Sequence, residues 1–263
     1  MDSRNFHFWA LLATKIKLNL RSEVGRNQLS YAWWILEPTL EAAVLYLVFG
    51  VFLGQGTDSF VSFLLVGLIP WTWFSRSVSN AMMSLSGAGW LLHSFRIHPA
   101  FFPLVVVGQD AIKQAVTFSF LLLALFIFGI PVTEQWLLLP IAWALQFGLV
   151  TSASCLVASL MPLLQDLKFL VNTGLLAVMF ASGIFYDAQS LVSRQWLDIF
   201  YLNPMASLIQ LYREILLGSG LLSLFHILVV VIWIMVLGSL AWLALRHYKD
   251  SYARLIEEGL KRF

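Results

Sequence analysis

Charged residues are scarce, at 11% of the 263 positions, while 60% are hydrophobic. An average soluble domain carries about 25% charge, and surface-to-volume scaling limits the apolar surface that one core can hide. A water-soluble globule is therefore excluded, and the solvent of this chain is lipid. Cysteine occurs once, as Cys155 in an apolar run, so no internal disulfide framework exists. The basic excess, 16 Lys and Arg against 14 Asp and Glu, is too slight for a nucleic-acid partner.

Catalytic signatures are missing as well. The sequence has no Gly-x-x-x-x-Gly-Lys-Ser/Thr phosphate loop, no His-Glu-x-x-His, no paired cysteines and no Gly-x-Ser-x-Gly. His93 and His98 lack a third ligand nearby and read as surface histidines of a loop, so no metal site is expected. Glu37 and Glu41 sit one turn apart beside Pro38, where a solvated or ion-paired role fits better than a catalytic carboxylate pair. No catalytic residue is expected. The N-terminal stretch is broken by Lys15, Lys17 and Asn19 and does not read as a cleavable signal peptide.

What is present is a series of apolar stretches. A span needs about 20 mostly apolar residues, and six stretches approach that: 39–53 (extended back through Trp33), 60–79, 104–128, 136–160, 169–185 and 221–245. Each is expected to be a helix, because lipid tolerates no unpaired backbone. Arg4, Lys15, Lys17, Arg21 and Arg26 precede the first span, and Arg246, Lys249, Arg254, Lys261 and Arg262 follow the last. The connections 54–59 and 129–135 hold no Lys or Arg. Positive-inside then places both termini in the cytoplasm.

Two further segments are expected on the membrane rather than across it. Phe6, Trp9, Ala13, Ile16 and Leu20 form an apolar stripe at helical spacing, flanked by Lys15, Lys17 and Arg21, as in an interfacial helix. The connection 186–220 contains two half-length pieces, 191–202 and 204–217, which meet at Asn203-Pro204 and read as a re-entrant or interfacial hairpin on the outer side. The predicted fold is an all-α membrane protein of one domain, 1–263. It divides into an interface helix (1–30), spans one to five (31–185), an outer hairpin (186–220), span six (221–245) and a cytoplasmic tail (246–263).

Ionisable groups inside spans are costly and mark function by default. Asp110 and Lys113, three apart in span three, are expected to pair with each other. The aromatics Trp33, Trp34, Tyr46 and Phe49, then Trp71, Trp73 and Phe74, then Phe180, Phe185 and Tyr186 fit two readings. One is a belt at the membrane interfaces. The other is a passage whose flat faces accept sugar rings.

The order of elements resembles the permease subunits of ABC-2 polysaccharide exporters, which move O-antigen, capsular polysaccharide or teichoic acid. The resemblance rests on Arg26-Asn-Gln-Leu-Ser-Tyr-Ala-Trp33-Trp-Ile-Leu-Glu37-Pro38 ahead of span one, and on Phe63-Leu-Leu-Val-Gly67-Leu-Ile-Pro70-Trp71 in span two. It rests also on Trp90-Leu-Leu-His-Ser-Phe-Arg96-Ile-His-Pro99 before span three, Ser182-Gly-Ile-Phe-Tyr186, and Leu202-Asn203-Pro204-Met205 with Arg213 downstream. Each motif alone is weak, and their order and spacing give the likeness its weight.

The resemblance implies a homodimer in the bacterial inner membrane, joined to two ATP-binding cassette ATPase subunits that bind the ATP and Mg. It implies that spans one and five line a channel, which makes Trp33, Trp34, Tyr46, Phe49, Phe180, Phe185 and Tyr186 the expected glycan contacts. Ser84, Leu85, Trp90, His93 and Arg96 are the expected contacts to the ATPase. Arg21, Arg26 and Arg96 are expected to meet the charged head of a lipid-linked glycan, because phosphate needs charge-assisted donors. Tyr186, Asn203, Pro204 and Arg213 are expected to form an outer gate. A permease for a small lipid or drug-like substrate is the alternative of the same fold, and a membrane-embedded glycosyltransferase or passive scaffold the alternative of another class.

Overall fold

In hydrocarbon every backbone N–H and C=O must find a partner within the protein, and among the described residues every regular element is helical. The structure, a computed structural model, describes residues 3–26, 30–52, 54, 60–88, 97–164, 166–218, 222–248 and 252. The helices are α1 (Ser3–Arg26), α2 (Ser30–Leu45) with a π-helical extension (Tyr46–Phe52), α3 (Phe60–Met82), α4 (Phe101–Ile127), α5 (Leu139–Leu160) and α6 (Leu167–Phe180). The chain continues through α7 (Ala188–Leu191), α8 (Arg194–Phe200), α9 (Pro204–Leu217) and α10 (Leu224–His247).

Among the described residues four stretches are long and apolar enough to cross a bilayer: Phe60–Met82, Phe101–Ile127, Glu134–Leu160 and Leu224–His247. They match expected spans two, three, four and six. Spans one and five fall on shorter helices. The 14 residues of α6 cover only about 21 Å at ~1.5 Å per residue, against ~30 Å of hydrocarbon. The α-helical part of the first span stops at Leu45 and passes into a wider π turn.

At the centre stands α3, packed by α4, α5 and α9, while α5 and α10 form the most extensive helix pair. Small residues bring that pair together. A Cβ on Gly148 would lie 3.0 Å from Ile234 Cδ1, and one on Gly238 would lie 3.3 Å from Ser152 Oγ. Lipid-embedded helices associate through this kind of close packing, since apolar burial drives nothing between two surfaces already in hydrocarbon.

One expectation is corrected, and the packing of two expected elements gains detail. The N-terminal helix docks along α4: Phe8 meets the Phe101 ring at 5.8 Å, Ile16 sits over Gly108, Asn19 Nδ2 donates to Gln109 Oε1 at 3.3 Å, and Lys113 pairs with Glu23 at 2.7 Å. Its contact row is thus Phe8, Leu12, Ile16, Asn19 and Glu23, and Trp9, Leu11 and Leu18 remain outward. Lys113 therefore pairs with Glu23 of α1 and not with Asp110, whose carboxylate accepts from Asn80 Nδ2 at 3.2 Å. In the second half of the expected hairpin, every residue of α9 from Met205 to Leu216 is buried, Arg213 and Glu214 included. The first half of that hairpin is two short helices, α7 and α8, in place of one piece.

Candidate functional site

An open groove of about 620 Å³ runs between α2, α3 and the end of α6. Its walls follow from helical spacing: Glu37, Leu40, Glu41 and Val44 form one face of α2, and Leu68, Trp71, Thr72, Ser75 and Arg76 one face of α3. Met179 and Phe185 close the far end. Arg76 Nη2 reaches Glu37 at 2.8 Å and Glu41 at 3.9 Å. These two carboxylates, one turn apart, share one guanidinium, which is the ion-paired role expected of them. The Glu37–Glu41–Arg76 cluster makes one part of the groove ionic, while Leu68, Trp71, Met179 and Phe185 make another part apolar and aromatic.

A second polar site lies behind it. Trp34, Asp110, Lys113, Gln114 and Thr117 surround a cavity of about 30 Å³ that also touches Arg76. Lys113 Nζ stands 5.7 Å from the Trp34 ring centroid, and Thr117 Oγ1 donates to the Trp34 carbonyl at 3.1 Å. The chain of contacts from Glu23 through Lys113 and Trp34 carries α1 to the back of α2. Asp110 and Arg76 border the same cavity from α4 and α3.

The end of α6 is joined to α9 by a set of polar ties. Asn203 caps α9 by accepting from the Met205 amide at 3.0 Å, and Pro204 takes the first helical position, where a missing N–H costs nothing. The Asn203 amide also donates to the Ala181 carbonyl at 3.1 Å and to Ser182 Oγ at 2.9 Å. Tyr186 donates to the Phe180 carbonyl at 2.9 Å, and burial raises its phenol, which keeps that donor protonated. Arg213 donates to the carbonyls of Gly183 at 2.9 Å and Ile184 at 3.1 Å. Its guanidinium lies 3.4 Å from the Phe63 ring centroid of α3. All four residues expected at the gate meet at this one junction.

The glycine and proline of the span-two motif acquire reasons here. A Cβ at Gly67 would lie 3.0 Å from Arg213 Nη2 and 3.5 Å from the Ile184 backbone, so any side chain there would press on the guanidinium. Pro70 interrupts the helical ladder. Beside it, the Ile69 carbonyl accepts from Gln114 Nε2 at 3.2 Å and the Pro70 carbonyl from Gln146 Nε2 at 2.7 Å. Gln146 Oε1 in turn accepts from Tyr212 of α9 at 2.7 Å. Two buried ties, one through Arg213 and one through Tyr212, thus hold α9 to α3.

Comparison with known proteins fixes the family. The sequence profile described as ABC-2 type transporter matches residues 8–217. The chain belongs to the ABC-2 type transporter family. The chain is 26% identical over 235 residues to the O-antigen export system permease protein RfbA of Myxococcus xanthus, covering 87% of this chain and 90% of that protein. A protein of the same name from Klebsiella pneumoniae is 23% identical over 82% of this chain and 83% of its own length. The polysialic acid transport protein KpsM of Escherichia coli is 25% identical over 74% and 76%.

Within this ABC-2 chain the expected channel aromatics differ in burial. Trp33, Tyr46 and Phe180 are exposed, Trp34 is turned inward onto Lys113, Tyr186 is half-buried, and Phe185 is 3% exposed at the groove's end. Of the expected coupling residues, Leu85 is fully buried beside Cys155 and Tyr252, while Ser84 keeps accessible surface. Arg21 is exposed on α1. The side chains of Phe49 and Arg26, and all of Trp90, His93 and Arg96, lie outside the described residues. Sequence reasoning did not bring Trp71 and Arg76 to the groove. The available signal was a face of α3 at positions 68, 71, 72, 75 and 76 opposite the Glu37–Glu41 turn.

Proposed function

We propose that this chain is the membrane-spanning subunit of an ATP-driven exporter that carries a lipid-linked polysaccharide, O-antigen first among the candidates, out of the cytoplasm. The observation that carries this reading is the open groove between α2, α3 and α6, ionic in one part and aromatic in another. A lipid-linked glycan has the same division between a charged head and a sugar chain, and the named relatives act on polysaccharide. A compact substrate would call for an enclosed pocket, and this groove is open to the outside.

In this reading α2 with its π extension and α6 complete six spans in the bacterial inner membrane, with both termini in the cytoplasm. A single copy leaves α6 without a buried residue, and Phe169 and Leu170 are about 70% exposed. A second copy facing α2 and α6 would cover this surface and close the groove into a channel. Two ATPase subunits would bind ATP and Mg and push on α1 and the turn at Ser84. The push would pass through Glu23 and Lys113 to α4 and the back of α2. Arg21, Arg26 and Arg96 would meet the lipid head-group, and the Tyr186–Asn203–Pro204–Arg213 junction would close the outer end.

Deleting the gene and staining both intact and lysed cells for lipid-linked polysaccharide tests the function. Loss from the surface with accumulation inside is expected. Unchanged surface glycan with no internal pool, in a strain without a second exporter, would overturn the proposal.

A further inference from the structure

Away from the groove, α5, α10 and the turn leading into α4 enclose a cleft of about 480 Å³. Its rim is His98, Thr151, Ser152, Trp242 and Arg246, and Gly238 forms part of its floor. Trp242 and Arg246 are one turn apart on α10, and the guanidinium carbon stands 5.0 Å from the indole centroid. Trp242 is 56% exposed, and Leu240 and Leu243 elsewhere around α10 are exposed too, so the apolar surface beside the cleft suits contact with lipid.

A tryptophan and an arginine near a helix end anchor many spans at the interface, with the cation simply reaching for water. That reading leaves the cleft unexplained. Here the cation stands at the mouth of a concavity of ordinary ligand size, ~300–1,000 Å³, with walls from three separate segments. Among the described residues no carboxylate lies within ion-pair distance of Arg246, whereas Arg76 and Lys113 both have one. Small residues at 152, 238 and 241 keep the floor low enough for a chain to lie between the helices.

We infer that this cleft binds one phospholipid with an anionic headgroup. The phosphodiester would be held by Arg246 at the mouth, and an acyl chain would run past Trp242 over Gly238 and Ser152. Basic clefts between helices at the cytoplasmic leaflet suit such lipids, because charge and apolar burial act together. The inference rests on the orientation proposed above, which puts the Arg246 end of α10 in that leaflet. It concerns a different face of the molecule from the groove.

The test is a titration of the purified full chain in detergent with dioleoylphosphatidylglycerol, counting bound lipid by native mass spectrometry. Dioleoylphosphatidylcholine serves as the neutral comparison and inorganic phosphate as the soluble competitor. One phosphatidylglycerol per chain is expected, held about tenfold more tightly than phosphatidylcholine and undisturbed by phosphate. Arg246→Gln is expected to abolish that preference and Arg246→Lys to keep part of it, while Lys17→Gln on α1 leaves it intact. Equal retention of the two lipids by the wild-type chain would overturn the inference without any variant. So would an unchanged preference in Arg246→Gln, or displacement of the lipid by phosphate alone, which would mark a site for soluble anions. Export is not read in this assay, so failure here leaves the export proposal standing.

Discussion

Arg213 has no carboxylate among the atoms it binds; it is held by backbone carbonyls and an aromatic face. Such an arrangement keeps a buried cation only if nothing crowds it, and Gly67 supplies that space from 146 positions earlier in the chain. Gly67→Val should therefore force Arg213 or the Ile184 backbone aside and cost about 1–3 kcal/mol, as overpacking does. Thermal unfolding of the detergent-solubilised chain reads this as a lowered midpoint. Tyr212→Phe removes the donor to Gln146 and leaves a buried acceptor unmet, a loss of about 1–3 kcal/mol in the same measurement. The sequence displayed both motifs but not their partners. Gly67, Pro70 and Arg213 were legible as landmarks, and the contacts between them join segments far apart in the chain, which no local pattern encodes.

At the level of elements, what was legible followed from periodicity over long apolar runs. The four long helices appear where expected, whereas what α1 and α9 pack against was not legible in their own residues. In α9 the charges of Arg213 and Glu214 look like those of a surface helix, but carbonyls satisfy the first and the Ser223 amide meets the second at 3.0 Å. Internal pairing of this kind cannot be read from one segment. In α1 the row that docks is set by Gly108 and Lys113 on α4, which the spacing of α1 alone does not reveal.

Two predictions belong to this scale. Arg76→Gln leaves Glu37 and Glu41 facing each other without a cation, and surface glycan should fall severalfold with the protein still inserted. Exchanging the charges, Arg76→Glu with Glu37→Arg, should restore part of it, whereas a purely steric role for Arg76 gives no rescue. Asn203→Ala removes a helix cap and two ties to the end of α6. It should cost about 1 kcal/mol and, if the junction is the outer closure, raise the passage of small ions through liposomes holding the reconstituted exporter. An unchanged ion barrier would argue against a gate there.

For the whole molecule, one chain is, in the proposed function, half of a transport path. Its central helices are packed as a stable core, while α6 has no buried residue and α2 shows Leu40 and Val44 exposed. A cysteine at Phe169 or Leu176, in a Cys155→Ala background, should cross-link between copies in native membranes, and one at Leu228 on α10 should not. The composition disclosed the solvent and the sequence pattern disclosed the family. The groove itself was not legible, since it needs α2 and α3 set with Arg76 opposite Glu37. The aromatics singled out as glycan contacts range from buried Phe185 to exposed Phe180: residue type announces an interface without saying which one.

The proposal that the groove carries the glycan is tested most directly by a photo-reactive amino acid at Val44, on the groove wall, and at Leu228, on the lipid-facing side of α10. Irradiating cells during export should give a glycan adduct, visible on blots with antibody to the polysaccharide, from position 44 and none from 228. Adducts from 228 alone, or equally from both, would contradict passage along the α2–α3–α6 groove.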